Sequence, residues 1–83
     1  MDINKDLIIG IGIRISIIRN KKKLTQQELG FLTGIDTADI SKYEAGKINL
    51  TLKTLLRFAV ALQVHPKELF NFEFDVTQYK TAE

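Results

Sequence analysis

The stretch QQELGFLTGIDTADISKY, residues 26–43, decides the fold. Apolar side chains fall at Leu29, Phe31 and Leu32 before a glycine and at Ile35, Ile40 and Tyr43 after it, so each set is expected to line one face of a short helix. Between them Gly34 is suited to end the first helix in a left-handed conformation, which costs glycine no Cβ penalty. A new helix can begin two residues later, where Asp36 or Thr37 can cap it and acidic side chains favour its positive end. Gly30 lies inside the first helix, where glycine costs about 1 kcal/mol relative to alanine, so a second backbone is expected to come close there. Two short helices crossing steeply through a tight turn, with a small residue at the crossing, make a helix-turn-helix.

Moving outward, Thr25 precedes this stretch as an N-cap, with Glu28 three residues on to complete a capping box. The second helix of the pair is expected over residues 37–45, closed by Gly46. After the loop KIN, Thr51 can cap a further helix, LKTLLRFAVALQV, whose Leu52, Leu55, Leu56, Ala59, Val60 and Leu62 form a broad apolar face. Pro66 suits the first turn of a short fifth helix, PKELF.

The N-terminal segment LIIGIGIRISIIR, residues 7–19, holds seven isoleucines, and local propensity favours a strand. Its length without a turn and the three-to-four spacing of Leu7, Ile11, Ile15 and Ile18 predict a helix over residues 6–22 instead. Lys21–Lys23 then oppose the negative end of its dipole. In the tail, Phe70, Phe72, Phe74 and Val76 alternate with Asn71, Glu73 and Asp75, the period-2 pattern of a half-buried strand.

Composition narrows the function classes. The 83 residues suit one small domain, and a core of that size is marginal without a partner chain. Cysteine is absent and histidine occurs once, which leaves no thiolate ligands and no zinc site. No secretory signal and no apolar run of roughly 20 residues is present, so a cytoplasmic protein without a membrane partner is expected. The net charge of +2 is modest but uneven, with residues 1–23 carrying +4 and the remainder -2. No Cys-His or Ser-His-Asp grouping and no phosphate-cradling glycine loop occurs, so no catalytic residue, cofactor or enzyme activity is expected. Asp36 and Asp39 share a helix turn, but 83 residues offer no obvious cleft around them.

From Leu24 to Phe70 the chain resembles the lambda-repressor-like helix-turn-helix domain of the Xre and Cro class of bacterial and phage regulators. The resemblance rests on TQQEL at residues 25–29, the turn glycine, IS-x-YE-x-G at 40–46, and Thr51-Leu52, Leu55, Ala59, Ala61-Leu62, Val64 and Leu69-Phe70 in order. It extends back through Ile13–Arg19. It implies an all-α fold, a compact five-helix DNA-binding domain over residues 1–70, while the alternating pattern of the tail makes 71–83 a C-terminal extension and a candidate dimerisation strand. It also implies a homodimer on double-stranded DNA, with the second helix of the motif in the major groove.

Carried over residue by residue, the base-facing positions are Thr37, Ala38 and Lys42, with Asp39 and Ser41 alongside. Lys42 can donate to guanine, Thr37 can offer a hydroxyl or a methyl, and Ala38 can touch a thymine methyl. Asp39 can accept from cytosine or cap its own helix. Gln26, Lys47, Asn49 and Lys53 are the expected phosphate contacts. Arg19 and Glu44 match a recurrent structural ion pair. Two readings of function follow. The first is a dimeric, sequence-specific regulator: a stand-alone repressor or a small controller of a phage, restriction-modification or toxin-antitoxin system. The second is a protein-interaction module whose aromatic tail docks a co-encoded partner. The tail residues Leu69, Phe70, Phe72, Phe74 and Val76 are expected either to pair two chains in an antiparallel ribbon or to fold back on their own.

Overall fold

A computed structural model describes residues 2–80. Four α-helices, α1 (Ile3–Lys21), α2 (Gln26–Thr33), α3 (Thr37–Glu44) and α4 (Leu52–Leu62), are followed by two 3-10 turns, η1 (Pro66–Phe70) and η2 (Val76–Gln78). The described residues contain no strand. The fifth helix expected at PKELF is this single 3-10 segment η1, capped by the His65 side chain, which accepts from the Lys67 N–H at 3.0 Å.

The isoleucine-rich N-terminal segment is helical because tertiary burial overrides β-propensity. Asp2 caps it by accepting from the Lys5 N–H at 3.2 Å, so α1 begins earlier than the periodicity suggested. Ile11, Ile15 and Ile18 enter the core, while β-branched neighbours such as Ile13 remain outside. Gly12 lies on the same inward face for a steric reason. A Cβ there would strike the Tyr43 carbonyl oxygen and lie 2.8 Å from that of Glu44, so α1 and the end of α3 touch backbone to backbone.

Helix α2 has both halves of the capping box: the Glu28 N–H donates to Thr25 Oγ1 at 3.0 Å and the Thr25 N–H donates to Glu28 Oε1 at 2.8 Å. Gly34 ends it at φ 74°, the left-handed conformation expected of that position. The apolar set before the turn divides, however. Leu29 is fully buried, but Phe31 is 88% exposed and Leu32 about half exposed. At 100° per residue Phe31 points roughly 200° away from Leu29, so an eight-residue helix cannot bury both against one core.

Helix α4 supplies Leu55, Phe58, Ala59 and Leu62 to the core, with Phe58 completely enclosed and the Tyr43 ring edge-on to it at 5.5 Å. Three residues of its expected apolar face, Leu52, Leu56 and Val60, point outward instead. Arg57 fastens α4 to α2, its Nε and Nη2 donating to the Thr33 carbonyl at 3.1 and 2.6 Å. Arg14 fastens α1 to η1 in the same manner, donating to the Glu68 carbonyl at 2.9 Å.

The expected tail strand is corrected by the structure. A lone strand has no ladder partner for its backbone groups. The tail turns instead at η2, where Asp75 accepts from the Thr77 N–H at 3.0 Å and its hydroxyl at 2.6 Å. Phe72 packs over Gly10, Phe74 stacks on Tyr79 at 5.3 Å, and the Tyr79 hydroxyl donates to Asp6 at 2.7 Å. The fold-back arrangement is therefore the one adopted within a single chain.

Candidate nucleic-acid interface

The two helices of the motif are fixed from behind. Gly30 permits their crossing, since a Cβ there would lie 2.7 Å from the Ile35 carbonyl oxygen. Asp36 caps α3 by accepting from the Ala38 N–H at 3.4 Å, and Ile40 anchors the helix with a fully buried side chain. At the other end Glu44 is held by a bidentate pair, Arg19 Nε to Oε2 at 2.6 Å and Nη2 to Oε1 at 3.1 Å. The third arm of the same guanidinium donates to the Leu24 carbonyl at 2.7 Å. One arginine thus ties α1 to the last residue of α3 and to the loop that starts α2.

With Ile40 inward, Thr37, Ala38, Ser41 and Lys42 are exposed and Asp39 is half-buried. Asp36 carries out the capping role considered for Asp39. The exposed face presents a hydroxyl, a methyl, a second hydroxyl and an ammonium within six residues, a varied set of donors and apolar groups for base edges.

Gln26 lies at the first position of α2, and its Nε2 donates to Glu44 Oε1 at 3.1 Å. The Arg19–Glu44 pair therefore also orients the glutamine, which keeps a second amide hydrogen and its carbonyl oxygen for another partner. Lys47, Asn49 and Lys53 are all exposed, the first two in the loop after α3 and the third in the first turn of α4. Sequence reasoning singled out these positions as phosphate contacts and said nothing of the anchoring by Arg14 and Arg57, which donate to backbone carbonyls that have no sequence signature.

Of the residues expected to join two chains, Leu69 is fully buried in its own core. Phe72 and Phe74 are half-buried in the folded-back tail, which leaves Phe70 and Val76 outward.

The helix-turn-helix family model HTH_3 matches residues 15–69, well over half of the chain. The chain belongs to this helix-turn-helix family. Among solved structures, this family member is similar to the restriction-modification controller protein C.AhdI from Aeromonas hydrophila. The identity is 38% over 78% of this chain and 97% of that one, with a TM-score of 0.74. It is also similar to the controller protein C.Esp1396I, solved as a tetramer in complex with its natural 35 base-pair operator. There the identity is 31% over 77% of this chain and 84% of that one, with a TM-score of 0.71. The clp gene regulator ClgR from C. glutamicum shares the fold at 20% identity, over 77% of this chain and 83% of that one, with a TM-score of 0.75. No curated protein matches the chain. No helix among the described residues is long and apolar enough to cross a membrane.

Proposed function

We propose that this helix-turn-helix protein is a sequence-specific DNA-binding transcriptional regulator, acting in the cytoplasm as a dimer on a palindromic operator with α3 in the major groove. The observation that carries this reading is the division of labour on α3. Ile40 and Glu44 are fixed inward, while Ala38 and Lys42 stand exposed on the far side of the helix and Thr37 and Ser41 stand exposed along its flank. Lys42 reads guanine, Thr37 and Ser41 supply hydroxyls, Ala38 meets a thymine methyl, and Asp39 at the edge accepts from cytosine. Gln26, held by Glu44, contacts phosphate at the start of α2. Lys47, Asn49 and Lys53 extend the same backbone contact. The likeness to two restriction-modification controllers supports a small self-contained regulator whose output follows its own concentration. Residues 1–70 form the DNA-binding unit, and the tail lies on α1 through Phe72 and Tyr79.

Selection from a random duplex library tests this, followed by titration of the winner and of scrambled DNA at two salt concentrations. The expected result is a palindrome with half-sites about one helical turn apart, and affinity that falls steeply with salt as counterions are released. Weak, sequence-blind binding without an enriched motif would refute the proposal and favour the protein-interaction module.

A further inference from the structure

Helix α4 has an apolar arc wider than its own core covers. Its inner stripe, Leu55, Phe58, Ala59 and Leu62, forms the core, and beside it Leu52 (72%), Leu56 (43%) and Val60 (76%) stand exposed along one flank at four-residue spacing. An exposed apolar stripe continuous with the core is the kind of surface that another molecule covers. Leu32 borders the outer stripe across a groove of about 310 Å3 between α2 and α4. Phe70 borders it on the other side, sharing a second groove with Leu52.

We propose that this outer face of α4 is where two copies of the chain join, about a two-fold axis passing beside Leu56. The inference rests on reading the protein as a DNA-binding dimer and identifies the contact that makes the dimer. Three observations favour a second copy as the occupant. First, the stripe has a large aliphatic side chain at each end and one in the middle. An antiparallel mate therefore sets Leu52 against Val60 and Leu56 against itself, as an isologous interface requires. Second, the five side chains expose on the order of 500 Å2 of apolar surface, so a pair buries about 1,000 Å2 before any polar rim, where specific interfaces begin. Third, the nearby cations do not call for an acidic partner. Arg57 is turned back onto the Thr33 carbonyl at 2.6 Å, and Lys53 lies in the first turn of α4 among the proposed phosphate contacts. The aromatic tail is not a competitor for this role, since Phe72 and Phe74 are engaged with their own α1 side.

The test is sedimentation equilibrium of the full chain as wild type, Leu56→Asp, Leu56→Lys and Val60→Glu, with thermal melts to confirm folding. The wild type should dimerise, and each variant should raise the dimer dissociation constant about 100-fold or more. An equimolar mixture of Leu56→Asp and Leu56→Lys should recover dimers, because only a two-fold at that residue sets the new charges face to face. If the Leu56 variants melt early, Val60→Glu carries the test from its more exposed position. Variants that dimerise as the wild type does, or a wild type monomeric at concentrations that saturate its selected DNA, would overturn the proposal. So would loss of the dimer on truncation after Phe70 with Leu56→Asp still dimeric. Library selection keeps the two readings apart. An enriched palindrome with dimeric Leu56 variants removes only this interface, whereas a wild-type dimer that enriches no motif removes the DNA-binding reading.

Discussion

Replacing Arg19 with alanine removes three charge-assisted hydrogen bonds, two to Glu44 and one to the Leu24 carbonyl. The Glu44 side chain is only 7% exposed, so its carboxylate is left with the Gln26 amide as its remaining partner. Breaking a well-buried pair from one side costs about 3–5 kcal/mol, and this pair lies close enough to the surface, with one bond surviving, to lower that to about 2–4 kcal/mol. A domain of this size has roughly 4–12 kcal/mol in total, so the loss is a large fraction of it. At about 4–8 °C per kcal/mol, the melting temperature should fall by roughly 8–32 °C in a calorimetric scan. Arg19→Lys keeps the charge but not the planar fork, and should lie between the two. Arg19→Met with Glu44→Met should cost less than Arg19→Ala alone, because no charge is then stranded. An Arg19→Ala chain melting within about 2 °C of wild type, or strictly additive effects in the double mutant, would refute the reasoning.

Further outcomes are expected in folding, in DNA binding and in the tail. Gly12→Ala should destabilise by about 1–3 kcal/mol in denaturant titration, because its Cβ meets the Tyr43 and Glu44 carbonyls and forces α1 and α3 apart. On DNA, Lys42→Ala should cost about 1–3 kcal/mol at one base position and relax preference there. Lys53→Ala should instead weaken all sequences alike and flatten the salt slope by about one unit, both read by fluorescence anisotropy. The tail responds to pH at both extremes. The hydrogen bond to Asp6 holds the Tyr79 hydroxyl above its ordinary 10.0, so this contact is intact below that pH and lost as pH rises through the raised value. The Thr77 hydroxyl and N–H hold Asp75 below its ordinary 3.8, so the η2 cap is intact above that pH and lost as pH falls through the lowered value. Tyr43→Phe leaves Tyr79 as the one tyrosine, so tyrosinate absorbance reads it directly; Asp6→Asn should bring its titration back down.

What was legible in the sequence was what is encoded within one helical turn. The capping box of Thr25 and Glu28, the left-handed Gly34 and the helix starts after Asp36 and Thr51 depend on groups two to four residues apart, and all are present. Where contacts span the chain, the signal faded. Nothing about Arg57 announces that its acceptor is the Thr33 carbonyl 24 positions away, or about Gly12 that it receives the backbone of α3. The alternating tail failed for a related reason. A period-2 pattern records which side chains seek cover, but a strand needs a neighbouring strand, and the described residues offer the tail the face of α1 around Gly10 and Asp6 instead. The exposed stripe of α4 misled in the opposite direction, because hydropathy cannot tell a side chain facing its own core from one left on the surface.

The arrangement around Glu44 shows why stability and DNA contact cannot be assigned to separate residues here. Helix α3 has eight residues, too few to persist alone in water, so its order comes from its ends and its single buried anchor. Asp36 holds the first end, Ile40 the middle, and Arg19 with the close approach at Gly12 the last. All of these act from the side away from the proposed major groove. The outward positions Ala38, Ser41 and Lys42 are thereby freed from holding the fold, and a change of recognised sequence at those positions need not alter stability. Gln26 lies where the two sets of duties meet. It is bound to the same carboxylate oxygen that Arg19 uses, so a substitution at Arg19 chosen to weaken the fold also releases a proposed phosphate contact. Loss of DNA affinity in such a variant would therefore reach beyond its unfolded fraction, through the glutamine that the ion pair no longer aims.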